Sequence, residues 1–277
     1  MKLILYSEKD LAGQNIKNCI LSMVDYEEKK VGDYLFYDCG KFGIVEIKER
    51  LIYADFVDER LSKYLNFHEI LFASRHSSKD GRKILTVHTT GNVSTADFGG
   101  KPYSVAMPAP NTMKNYALWL KDEIIGLEGY EFTMEATHHG PSEIKTPSAF
   151  YEIGSTEEEW KDEAAAMCVA KSMLRAIEDE RQWRVALGIG GTHYAPRQTE
   201  LLLETVFSFS HIFAKYTFQG LSKEFLTKVI ELDKSDCIIY DDKSTTSDVK
   251  KMLSGIAEEL GIEILKAKHA KKYKFNK

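Results

Sequence analysis

The stretch Arg184–Ser208 reads RVALGIGGTHYAPRQTELLLETVFS, and its order of residue types sets the architecture expected of the whole chain. The apolar run at 184–189 predicts a strand, which Gly190 and Gly191 interrupt. Pro196 falls where a first helical turn accepts proline, so a helix is predicted over 197–208. Between them lies the polar turn Thr192-His193-Tyr194.

The same alternation runs outward to both ends. Strands are predicted at 2–7, 34–39, 43–48, 69–75, 84–90, 130–137, 150–154, 211–217, 237–241 and 262–267, and helices at 13–24, 111–127, 156–179, 222–232 and 246–260. The helix over 156–179 has Ser155 as its expected N-cap, with Glu158 three residues on. Alternating strands and helices imply an α/β fold: three layers, α/β/α, around a mostly parallel mixed sheet. Residues 91–110 form the longest irregular stretch, the length of a functional loop or lid. No repeat or linker divides the chain, so one domain spanning 1–277 with a basic tail at 266–277 is expected.

Composition narrows the class. Apolar residues come in short runs, far below the roughly 18 a membrane span needs. The start shows no secretory pattern, and Cys19, Cys39, Cys168 and Cys237 form no CxxC pair, as expected of reduced thiols in a cytoplasmic protein. The net charge of -5 is unevenly distributed, because 266–277 carries six lysines and no acid. Tyr273 and Phe275 are interleaved with those lysines, a mixture suited either to nucleic-acid contact or to a solvated terminus.

In a parallel α/β sheet, ligands bind beyond the carboxyl ends of the strands, and here those positions are rich in histidine. His76, His88, His138, His139 and His193, five of eight histidines, fall at the ends of predicted strands. Gly140, Gly190 and Gly191 beside them suit close backbone approach or positive φ, with N–H groups free to face an anion. The segment Gly154-Ser155-Thr156 leads into a helix N-terminus, which favours negative charge. Imidazoles near neutral pH can move a proton, and two or three of them with a carboxylate can hold zinc. Both routes lead to hydrolysis. Glu135, His138, His139 and His193, with Glu152 nearby, would supply ligands, although no HExxH spacing is present. No G-x-S-x-G elbow or complete GxGxxG pattern occurs, which argues against a serine nucleophile and a dinucleotide.

Three segments carry a resemblance: Glu135-Ala136-Thr137-His138-His139-Gly140-Pro141, Glu152 through Trp160, and Gly188 through Arg197. With them the chain resembles the archaeal and plant type of D-aminoacyl-tRNA deacylase, historically called D-tyrosyl-tRNA deacylase. The His88-Thr89-Thr90-Gly91-Asn92 loop and the order of elements also look like that family. The resemblance implies hydrolysis of the ester between a D-amino acid and the tRNA 3′ end, an association with zinc, and a fold similar to nucleoside phosphorylases and peptidyl-tRNA hydrolases. On this reading His138, His139, His193, Glu135 and Thr192 are the catalytic candidates. His88, Thr90, Asn92, Gly140, Gly190, Gly191, Ser155 and Arg197 are candidates for substrate contact, and His138, His139, His193 and Glu152 for the metal. The expected partner is the acceptor end of D-aminoacyl-tRNA with its 3′-terminal adenosine, and a monomer is expected. A zinc peptidase or nucleoside-processing enzyme on a similar fold, and a non-catalytic tRNA-binding protein, are the alternatives.

Overall fold

The computed structural model describes residues 1–275, so the Lys277 end of the predicted basic tail lies outside the described residues. The strands are β1 (Lys2–Ser7), β2 (Glu27–Val31), β3 (Tyr34–Asp38), β4 (Phe42–Ile47), β5 (Glu69–Arg75), β6 (Ile84–His88) and β7 (Gly91–Asn92). They continue as β8 (Ser104–Val105), β9 (Glu131–Met134), β10 (Ser148–Gly154), β11 (Arg184–Ile189), β12 (Phe207–Phe213), β13 (Cys237–Tyr240) and β14 (Glu263–Lys266). The helices are α1 (Leu11–Leu21), α2 (Val57–Leu61), α3 (Pro110–Glu123), α4 (Glu157–Trp160), α5 (Glu163–Glu178), α6 (Pro196–Glu204), α7 (Lys223–Asp233), α8 (Ser247–Leu260) and α9 (Ala267–Ala270). No helix of the described residues is long and apolar enough to cross a membrane.

The large sheet has the order β2-β3-β4-β1-β5-β10-β6-β9 and is mixed and mostly parallel. A parallel four-stranded sheet, β12-β11-β13-β14, stands beside it. Strand alternation sorts the large sheet's side chains. Ile4, Tyr6, Leu71, Ala73, Tyr151 and Ile153 share a core with buried residues of α1, α3 and α5. Leu3, Leu5, Phe72 and Phe150 point the other way, against Leu51 and α2. That second face carries only short elements, which leaves room for a cavity. The small sheet is covered by α3, α6 and α9 on one side and by α7 and α8 on the other.

Residues 135–137 stitch the two sheets together. Glu135 N donates to Val87 O, then Ala136 N to His193 O and Thr137 N to Ile212 O. The predicted strand over 130–137 therefore ends at Met134, and its last residues pair with the other sheet instead.

Other boundaries also moved. The helix expected over 156–179 is two helices, and Ser155 is not the cap: its hydroxyl donates to Arg82 O. Thr156 and Glu159 form the capping box of α4, and Asp162 caps α5 by accepting from Ala164 N and Ala165 N. Thr205 turns extended and ends α6, so Val206 onward belongs to the approach to β12 rather than to a helix reaching 208. That strand starts at Phe207, not 211, and Lys215–Gly220 is a 3-10 turn. The tail is docked: Lys271 pairs with Glu200 and Lys274 with Glu204, while Tyr273 packs on Phe207 and Phe275 on Trp183.

Candidate active site

The expectation that every histidine-bearing loop leaves one edge of a parallel sheet requires correction. β6 runs antiparallel to β10, with His88 opposite Phe150 and Thr86 opposite Glu152. His88 and Glu152 therefore meet on the thinly covered face of the sheet, not beyond its edge. His76 reaches them from the end of β5, and the seam at 135–139 brings Glu135, His138 and His139. His193 arrives from the turn after β11, held by its carbonyl contact with Ala136.

Glu135 is the hub. Its side chain is fully buried, and three imidazole Nε2 atoms surround Oε2: His193 at 3.4 Å, His138 at 3.5 Å and His88 at 4.0 Å. His76 Nδ1 lies 2.8 Å from Oε1 and 3.6 Å from Glu152 Oε2. Despite these approaches, neither Glu135 oxygen nor His88 Nε2 receives a well-directed hydrogen bond. Lone pairs are thus left buried at the centre of the cluster, a costly arrangement without a further partner.

Backbone carbonyls orient the imidazoles. Nδ1 of His138 lies 2.7 Å from Ala136 O, and Nδ1 of His139 lies 2.6 Å from Gly140 O. A carbonyl only accepts, so Nδ1 carries the proton in each ring and Nε2 is left with its lone pair. Burial lowers the basicity of both rings: His138 falls well below the ordinary histidine range, and His139 falls to about 4, with neighbouring imidazoles adding to the effect. His76 moves the other way, to about 11, because Glu135 and Glu152 outweigh the effect of burial. Burial would raise the Glu135 carboxyl, but contacts with His193 and His76 hold it well below its usual range. The site therefore combines ionised carboxylates, a charged His76 and two neutral imidazoles.

A cavity of about 700 Å³ opens onto this cluster, lined by His76, His138, His139, Glu152, His193 and Tyr216 among others. Residues 91–98 form one wall, so the predicted lid segment borders the site. Of the expected contact residues, His88 belongs to the cluster and Asn92 lines the cavity, where its amide donates to Gly99 O and Lys101 O. Thr90 instead holds Pro141 O, and Arg197 pairs with Glu200. Ser155 is turned to Arg82 O, and exposed Thr192 contributes a carbonyl to Ala195 N. None of these four lines the cavity.

The glycine amides expected to face an anion are already used. Gly140 N donates to Phe98 O, Gly190 N to Phe213 O and Gly191 N to Ser244 Oγ. At the start of α4, Glu159 takes Thr156 N, which closes that helix terminus as an anion site. The four expected metal ligands do not form one quartet. Three groups have donor atoms close enough to share an ion: His88 with His138 and His139, Glu135 with His138 and His193, and His76 with Glu135 and Glu152. His76 followed a predicted strand but had no assigned role, and Tyr216, whose hydroxyl lies 3.1 Å from His193 Nδ1, gave no sequence signal.

A buried carboxylate ringed by imidazoles at the wall of a cavity, on an α/β fold, is the site of an enzyme equipped for proton transfer. The sequence pattern of the D-aminoacyl-tRNA deacylase family matches residues 63–265. The chain is 61% identical over 273 residues to the D-aminoacyl-tRNA deacylase of Archaeoglobus fulgidus, covering 98% of each. It is 40% identical to that of Thermococcus onnurineus, covering 96% of this chain and 100% of the relative. A crystal structure of a conserved protein of unknown function superposes with a TM-score of 0.98 at 60% identity, covering 100% of this chain and 99% of the other. The chain belongs to the D-aminoacyl-tRNA deacylase family.

Proposed function

We propose that the chain hydrolyses the ester of D-aminoacyl-tRNA, releasing the free D-amino acid and tRNA. The observation that carries this is the convergence of Glu135, His138 and His193 at the wall of the cavity, in a chain of this family. An aminoacyl ester is already activated, so hydrolysis needs a placed water, a proton acceptor and stabilisation of the oxyanion. His193 stands between Glu135 and the cavity. The Glu135 carboxylate, 3.4 Å from Nε2, stabilises positive charge on the ring, and the other nitrogen, beside Tyr216, takes the proton of the attacking water. The water oxygen bonds to the ester carbon, the bond to the ribose oxygen breaks, and that proton passes to the leaving hydroxyl. Sparing the L-ester requires a pocket in which the L side chain clashes.

Zinc fits the donor set. The neutral, carbonyl-oriented imidazoles of His138 and His139, the unpartnered His88 Nε2 and the free lone pairs of Glu135 are the donors such an ion takes. His88, His138 and His139, or Glu135, His138 and His193, would hold it. An ion held by these residues would supply Lewis acidity toward a water and toward the ester carbonyl.

The test is turnover of matched D-Tyr-tRNA and L-Tyr-tRNA, with and without a chelator. Cleavage of the D-ester alone, lost on chelation and restored by zinc, is the expected result. Equal cleavage of both esters, or of neither, would refute the reading, and indifference to the chelator would remove the metal.

A further inference from the structure

Three neighbouring parallel strands of the large sheet, β4, β1 and β5, end on the same rim. Each delivers a cation to the cavity: Arg50 after β4, Lys9 after β1, and Arg75 as the last residue of β5. Adjacent strands lie about 5 Å apart, so the three form a short row of positive charge along the lip. None pairs with a carboxylate among the described residues; Arg50 and Arg75 lie against the rings of Tyr53 and Trp160 instead. The acids of the cavity lining offset the row only in part, because exposed Asp97 is the one lining carboxylate among the described residues that is not buried. Asp10 and Glu152 are buried and already hydrogen-bonded or ion-paired, and exposed Asp97 accepts from the Thr95 hydroxyl.

The sequence pointed elsewhere for phosphate contacts, to the C-terminal lysines and Arg197. Lys266, Lys271, Lys274 and Arg197 are ion-paired with Asp242, Glu200, Glu204 and Glu200, and of the tail's aromatic rings Phe275 packs edge-on against Trp183 and the partly exposed Tyr273 against Phe207.

The wall formed by residues 91–98 carries Phe98, a residue 66% exposed that lines the cavity although its carbonyl is fixed by Gly140 N. A ring displayed on pinned backbone beside unpaired cations is the combination that binds single-stranded nucleic acid: charge follows the phosphates, and the ring stacks on a base without selecting its identity. Guanidinium groups add fork-shaped donors that match phosphate oxygens.

We infer that this lip is the landing site for the single-stranded 3′ end of the charged tRNA. Lys9, Arg50 and Arg75 hold its phosphates, and Phe98 stacks on a base, which presents the terminal ester to His138, His139 and His193. The inference builds on the deacylase reading and locates its RNA contacts at the cavity rather than at the tail.

The experiment measures D-Tyr-tRNA hydrolysis and tRNA binding across a salt series for the double variant Arg50→Ala/Arg75→Ala and for Phe98→Ala. The double variant should raise KM about tenfold or more, with a much smaller change in kcat. Its salt dependence should flatten, because each lost single-strand phosphate contact removes about 0.7 from the log–log slope. Phe98→Ala should raise KM without changing the slope. Lys271→Ala/Lys274→Ala should leave both at the wild-type value. Trimming the single-stranded 3′ end from uncharged tRNA should weaken wild-type binding and abolish the difference between wild type and double variant. Unchanged KM and slope in the double variant, or additive losses from trimming and mutation, would overturn the inference. If the wild-type protein binds tRNA at the lip and cleaves no ester, the deacylase reading fails while the binding site stands.

Discussion

Oε1 of Glu135 lies 2.8 Å from Nδ1 of His76, and both side chains are almost fully enclosed. Two elements far apart in sequence are thus joined by one buried ion pair at the wall of the cavity. Removing one partner of such a pair leaves the other charge uncompensated, at a cost of about 3–5 kcal/mol.

Glu135→Gln should reduce D-Tyr-tRNA deacylation by about 100-fold or more, since it removes the negative charge that stabilises a protonated His193 and holds His76 charged. Single-turnover assays check this, with circular dichroism confirming the fold. Activity within threefold of wild type would remove Glu135 from the mechanism. His139→Ala and His193→Ala should show comparably large losses.

Tyr194→Phe tests the outer support. The Tyr194 hydroxyl lies 3.2 Å from both His76 Nε2 and Asp80 Oδ2. Its loss should cost about 1 kcal/mol, read as a three- to tenfold fall in kcat with KM nearly constant. A fall as large as that of Glu135→Gln would make Tyr194 a direct participant.

Gly140→Ala should destabilise the protein by about 1–3 kcal/mol, measured by denaturant unfolding. A Cβ there would collide with the backbone of Gly99, Gly100 and Ile52, none of which can rotate away. His138 and His139 would shift with the backbone, so deacylation should fall as well. A neutral substitution would mean that the 98–100 segment yields easily.

Lys114 gives a pH prediction. It is fully buried, donates to Thr205 O and Phe207 O, and lies over the Trp183 ring, and burial lowers its pKa to about 7. Its ordinary value is 10.5, so between about 7 and 10.5 the unfolded chain binds the proton that the folded chain releases. Stability from this group therefore rises with pH across that window, at up to about 1.4 kcal/mol per unit. Thermal unfolding from pH 6 to 10 should show the rise, and Lys114→Met should flatten it. An identical profile in the variant would refute the assignment.

The histidines were legible because chemistry-bearing residues after apolar runs stand out: His88, His138 and His193 meet at Glu135, and His139 packs against the rings of His88 and His138. Their geometry was misread. Strand direction depends on pairing partners, and the antiparallel pairing of β6 with β10 puts His88 over the sheet face rather than beyond its edge. Thr192, Ser155 and Arg197 were chosen by proximity in sequence, but nearby backbone or acidic groups occupy their side chains or turn them outward. Tyr216 and the cations of the lip were missed because a surface Tyr, Lys or Arg looks the same in sequence whether or not it faces a cavity.

The sequence by itself determined the alternation of strands and helices, the α/β class, the family and the set of imidazoles and carboxylates, because periodicity and residue chemistry are local. Only the tertiary structure decided which of these groups touch. Whether a glycine amide is free, a lysine is paired or a glutamate is ringed by imidazoles depends on what another part of the chain places within a few ångströms.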